Sequence, residues 1–265
     1  MIQDSTLPAP RATLAVDRGV ALLALGIVGA RALGGGALEG AWAFAPAIAA
    51  VALTALAARL ASPPAKAIAA LTACLLVAMH VPLLWQAVMA IALVAFLLLG
   101  RVAPGFAPPP RWWAPGRVAW GWTALVGGVT PVALVGWLLL VHPNLRDVVG
   151  AYVPDLPLPV LIAGGVGFAL VNAALEELIW RGVLQDRLEP LFGAGGAIAL
   201  SSASFGVQHF HGVPRGALGV LLAGSWAVML GMLRKHTRGM LAPFLSHVIA
   251  DATIAVIILT LATRR

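Results

Sequence analysis

Apolar runs of membrane-spanning length follow one another almost end to end along this chain, and polar residues fall in the short gaps between them. A helix needs about 17–25 apolar residues to cross the hydrocarbon core. On that measure the pattern predicts spans over roughly residues 18–34, 41–60, 65–80, 83–100, 118–141, 158–179, 195–210, 214–233 and 240–262. The third is short and ends at His80-Val81-Pro82, so residues 65–100 read either as two crossings or as a broken hairpin within the bilayer. Eight or nine crossings follow. No gap is long enough for a soluble domain, and no internal repeat is visible. The longest polar stretch, Arg101 to Arg117, holds five prolines and reads as an ordered, extended interfacial loop. Trp112, Trp113, Trp120 and Trp122 cluster at its end, as an aromatic belt at headgroup level does.

Composition agrees with the pattern. Apolar residues make up 61% and charged residues 10%, against roughly 25% charged in a soluble domain. Cys74 is the only cysteine, which excludes a disulfide scaffold; it reads as a small apolar side chain. The net charge of +7 does not indicate nucleic acid, because the arginines stand singly between apolar runs. The expected fold is all-α, a polytopic membrane bundle of about eight helices around a buried polar site.

Charge bias predicts the orientation. Arg11, Arg18, Arg59, Lys66, Arg101, Arg111, Arg117, Arg234, Lys235 and Arg238 fall on one side of the predicted topology. The opposite connections hold Arg31 with Glu39, and Arg146 with Asp147 and Asp155. Positive residues face the cytoplasm, so the N-terminus is expected inside. Arg264 and Arg265 depart from this rule if nine spans cross and fit it if eight do. Arg31 and a glycine run follow the first span, which therefore reads as an uncleaved signal anchor. The organisation is a cytoplasmic tail over 1–17, motif-free helices over 18–157 and a chemistry-bearing region over 158–262.

Ionisable groups inside apolar segments are costly and point to function. Three places carry them. Glu176 and Glu177 close the sixth span; they point about 100° apart on a helix and cannot share one role. Glu177 and Arg181 stand four apart with the acid first, the favourable order for a helical ion pair. Gln208, His209 and His211 form a polar patch near the end of the seventh span. His247 and Asp251 lie one turn apart in the last span, where a carboxylate can hold an imidazole. His80, alone beside Pro82, reads as interfacial or packing. Brought together, these groups can activate water and bind a metal or an oxyanion. A proton-coupled transporter competes with this hydrolase reading, since buried acids and histidines also build proton relays. Repeated halves with matching broken helices would mark a transporter, and none is visible.

Glu176-Glu177-x-x-x-Arg181, then Phe205-x-x-x-His209, then His247-x-x-x-Asp251 resemble the three ordered motifs of the CPBP family. That family comprises the type II CAAX prenyl endopeptidases and bacterial bacteriocin-processing and self-immunity proteins. The resemblance covers about residues 158–262. It implies an intramembrane endopeptidase that cuts near a substrate's C-terminus. It further implies that Glu176 with His209 activates water, that His247 with the residue four later stabilises the oxyanion, and that Glu177 and Arg181 brace the site. Asn is common in the family where this chain has Asp251. An ionised Asp cannot donate to an oxyanion, so Asp251 either orients His247 or completes a metal site with Glu176, His209 and His247. A divalent metal such as zinc is therefore an open alternative to a metal-free glutamate mechanism. His211 lies outside the motif and is a candidate for the surrounding shell.

The Ala-, Gly- and Arg-rich usage suggests a GC-rich bacterium and its cytoplasmic membrane. The expected partners are the lipid bilayer and a peptide or protein substrate with a C-terminal tail, in the manner of the myxosortase relatives. A non-proteolytic scaffold or immunity protein is the second reading of the same resemblance.

Overall fold

The computed structural model describes residues 11–35, 40–110 and 112–263. Within them the chain forms ten α-helices and no strand: α1 (Arg11–Gly34), α2 (Ala45–Leu60), α3 (Pro63–Ala78), α4 (Trp85–Val102), α5 (Trp120–Val141), α6 (Arg146–Tyr152), α7 (Leu158–Glu176), α8 (Asp186–Gln208), α9 (Gly216–Thr237) and α10 (Leu241–Ala262). The all-α membrane bundle expected from the hydrophobic pattern is the fold observed. Seven stretches among the described residues are long and apolar enough to cross a membrane, and α3 is a shorter apolar helix.

The spans match the predicted runs closely, with two instructive differences. Helix α1 already covers Arg11–Asp17, ahead of the expected start at 18, and Asp17 within it is buried and accepts the Ser62 backbone N–H at 2.7 Å. The predicted gap at 180–194 is mostly helical: α7 runs through a π-helical segment, Glu177–Gln185, directly into α8. Charges that look like a loop in sequence are paired there. Arg234 donates to Asp186 at 2.6 Å, Lys235 pairs with Glu189, and Arg187 donates to the Ala107 carbonyl at 2.6 Å. The rod breaks at Gly193, whose φ of 70° and ψ of 171° lie in a region open to glycine almost alone. Beyond the break, α8 packs along α9. Gly206 and Gly224 set their closest approach: a Cβ on Gly206 would lie 2.7 Å from the Val220 carbonyl oxygen.

Helix α3 is buried nearly all round, and its Ala-rich sequence lets neighbours approach closely. It forms the centre of the N-terminal half, surrounded by α1, α2, α4 and α8. Helices α5, α7 and α10 pack together beside it, and α9 joins the two groups.

Trp85, the first residue of α4, touches Glu176, which lies about 27 Å along α7 from Leu158 at 1.5 Å per residue. The α3–α4 turn therefore ends level with the site rather than level with the start of α7. Contacts also gather many of the predicted basic positions at one end. Arg18 donates to the Leu191 carbonyl at 2.7 Å, and the Arg117 backbone N–H donates to the Thr237 carbonyl at 3.1 Å. At the other end, His211 lies against Gly35. The side chains of Arg11 and Asp147, and residues Glu39, Arg111, Arg264 and Arg265, lie outside what is described. Trp113, Trp120 and Trp122 are exposed, as an aromatic belt requires, whereas Trp112 packs onto the core and Gly182.

Candidate active site

Three helix segments supply the core of the site. Residues on the α7 side run antiparallel to those on α10, so Asn172 meets Asp251 and Glu177 meets His247. Ser246 anchors α10 to α5 by donating to the Thr123 carbonyl at 3.0 Å, which fixes the neighbouring His247. Glu177 begins the π-helical segment, a backbone variant that recurs at functional sites.

His247 is the hub. Its Nδ1 lies 2.7 Å from Glu177 Oε1, and its Nε2 faces Glu176 Oε2 at 3.4 Å. A carboxylate only accepts, so the proton of the short contact sits on Nδ1 and is donated to Glu177. Glu177 also pairs with Arg181 at 2.9 Å. Glu177, Arg181 and His247 are 1%, 2% and 2% exposed, so a charge left unpaired among them would be held away from water. Glu176 is turned the other way, and its Oε1 accepts the Trp85 indole N–H at 3.2 Å. The two glutamates thus take different roles, as their helical spacing implies, yet both face the same imidazole from opposite ring nitrogens.

Asp251 is placed differently from the orienting role considered for it. Its Oδ1 is 3.8 Å from His247 Nε2, beyond hydrogen-bond reach, while its Oδ2 accepts from Asn172 Nδ2 at 3.1 Å. Asn172 in turn accepts from Gln86 Nε2 at 2.9 Å. The residue that holds the His247 ring is Glu177.

His209 stands across the Phe205 ring. Ring centroids are 4.6 Å apart for Phe205 and His209 and 6.0 Å for Phe205 and His247. The Arg181 guanidinium carbon lies 4.5 Å from the Phe205 centroid, and Trp180 packs on its edge. His209 Nδ1–H donates to the Phe205 carbonyl at 3.0 Å, which leaves Nε2 with its lone pair. Among the described residues no ion pair joins His209 to a carboxylate, though it lies within electrostatic reach of Glu176 and His247. Trp226 closes the other edge of His247 at 4.9 Å between centroids.

All six motif residues therefore converge: Glu176, Glu177, Arg181, His247 and Asp251 in direct sequence of contact, and His209 through Phe205. His211 does not join them; it lies against Gly35 and the edge of Phe210. His80 stacks on Phe44 at 4.2 Å, a packing role. Trp85, Gln86 and Asn172 were not singled out by the sequence. Asn172 carried a signal, being a polar residue one turn before Glu176 in an apolar run. The metal alternative named Glu176, His209, His247 and Asp251, of which Glu176 Oε2 and Asp251 Oδ1 lie 3.4 and 3.8 Å from His247 Nε2. Among the described residues no group of three or more His, Cys, Asp and Glu is placed to hold an ion.

A family model described as Rce1-like, type II CAAX prenyl endopeptidase, matches residues 158–253. Residues 158–253 are the stretch similar to that family, the Rce1-like region of the chain. The match names the protease family that the three motifs resemble, and it contains all six motif residues together with Asn172 and Phe205. Trp85 and Gln86 lie outside the Rce1-like region. No curated protein and no solved structure matches the chain.

Proposed function

We propose that this chain is an intramembrane endopeptidase that hydrolyses a peptide bond near the C-terminus of a membrane-associated protein or peptide. The observation that carries the reading is His247 set between Glu177 on Nδ1 and Glu176 on Nε2, buried in apolar helices and faced by a second histidine across Phe205. In this mechanism Glu176 and His209 Nε2 bind the attacking water. Its oxygen adds to the scissile carbonyl carbon as Glu176 takes the proton. His247, with Nδ1–H given to Glu177, presents Nε2–H to the oxyanion in its imidazolium form. Collapse breaks the C–N bond, and the proton passes from Glu176 to the leaving amine. Arg181 neutralises Glu177 and so keeps the His247 mount in place. Asp251, accepting from Asn172, supplies no donor to the oxyanion while ionised.

The basic end of the bundle is assigned to the cytoplasm of a bacterial inner membrane, with the N-terminus inside. The substrate class is a C-terminal tail delivered within or beside the bilayer. The test is C-terminal profiling by mass spectrometry of membranes from cells producing the wild type or Glu176→Gln. New truncated C-termini that occur only with the wild type support the assignment. Identical profiles contradict it and favour a non-proteolytic scaffold.

A further inference from the structure

Two consecutive residues outside the Rce1-like region connect to the two outer carboxylates of the site, Trp85 directly and Gln86 through Asn172. Trp85 gives its indole N–H to Glu176 Oε1 at 3.2 Å, while the other Glu176 oxygen faces His247 Nε2 at 3.4 Å. Gln86 Nε2 donates to Asn172 Oδ1 at 2.9 Å, and Asn172 Nδ2 donates to Asp251 Oδ2 at 3.1 Å. A tryptophan at a membrane interface turns its N–H toward headgroups. Trp85, at the first turn of α4, turns it to a buried carboxylate instead. A donor on one oxygen fixes the plane of a carboxylate and hence the direction of its second oxygen. The amide pair does the same for Asp251 at one remove.

We propose that Trp85 and Gln86 are positioning residues of the site, Trp85 fixing the Glu176 carboxylate and Gln86 fixing Asp251 through Asn172. The N-terminal helices then take part in the site and are not only a membrane anchor. This rests on the proteolytic reading above, in which Glu176 handles the proton of the attacking water.

Trp85→Phe keeps an aromatic ring and removes the N–H. With the purified protein in proteoliposomes and a fluorogenic peptide copying a tail found by C-terminal profiling, kcat falls about tenfold, the scale of a lost hydrogen bond to a charged group. KM changes less than twofold and the melting temperature stays within a few degrees. Gln86→Leu and Asn172→Leu each lower kcat, and the double variant loses no more than the larger single, as members of one chain do. A second readout is independent of cleavage. The ¹⁵N indole resonance of Trp85, assigned by its absence in Trp85→Phe, is protected from hydrogen exchange in the wild type and loses protection in Glu176→Ala. Wild-type kcat in Trp85→Phe, or an indole exchange rate indifferent to Glu176, overturns the proposal. If Glu176→Gln cleaves like the wild type, or no cleavage is found, the proteolytic reading fails, and the indole exchange still decides whether Trp85 holds Glu176.

Discussion

Glu177 is the residue whose removal the structure makes most costly. It is 1% exposed, accepts from His247 at 2.7 Å and forms an ion pair with Arg181 at 2.9 Å, and Arg181 is itself 2% exposed. Glu177→Ala deletes the only carboxylate among the described residues that is paired with that guanidinium and leaves a cation buried among apolar helices. Breaking one partner of a buried pair costs about 3–5 kcal/mol. Arg181→Ala strands the glutamate in the same way, though His247 still donates to it, so its loss falls at the lower end. Removing both charges together, as Glu177→Leu with Arg181→Met, leaves no stranded charge. The remaining loss is the bond to His247 Nδ1, about 1–3 kcal/mol for a donor left unmet. The double variant is therefore more stable than Glu177→Ala, while all three are inactive because His247 has lost its mount. Equilibrium unfolding of the purified protein in mixed micelles, followed by circular dichroism, measures the differences. A double variant as unstable as the sum of the singles, or Glu177→Ala within 1 kcal/mol of the wild type on this scale, would refute the reasoning.

Asp251→Asn should keep much of the activity, since an amide oxygen can still accept from Asn172 Nδ2 and its own N–H₂ adds a donor toward the oxyanion. Metal content measured beside activity decides the alternative: activity and bound metal falling together, reproduced by chelation of the wild type, would instead make Asp251 a ligand. Gly193→Ala should cost about 1–3 kcal/mol by forcing a side chain into a backbone region that excludes it, read as a lowered unfolding midpoint; an unchanged midpoint would show that the bend is not required. In a Cys74→Ala background, cysteine tags at 111 should label only from the cytoplasm and tags at 155 only from outside, and the reverse would invert the orientation.

The helices were legible because length and apolarity alone define a crossing, and the nine predicted runs correspond to helical rods in the fold. Residues 180–194 were not, because Asp186, Arg187 and Glu189 look solvent-facing until their partners on α9 and in the 104–119 loop are known. At the site, helical spacing correctly separated Glu176 from Glu177. It could not show that a single imidazole, having two ring nitrogens, would receive both. Asp251 illustrates the converse limit. One-turn spacing puts it on the face of His247, but spacing does not fix a rotamer, and the amide of Asn172 holds the carboxylate away. Trp85 and Gln86 stand 91 and 86 residues from their partners and belong to none of the three motifs. Only the packing of α4 against α7 reveals them.

The central claim is that Glu176 and His209 activate water inside the bundle, and purified protein in proteoliposomes tests it most directly. Cleavage of a tail peptide by the wild type is compared with Glu176→Gln and His209→Ala, each checked for a wild-type unfolding midpoint. Loss of a group that activates water lowers the rate by about 10²–10⁴-fold. The account predicts that drop in both variants without loss of folding. Either variant cleaving at the wild-type rate would contradict it.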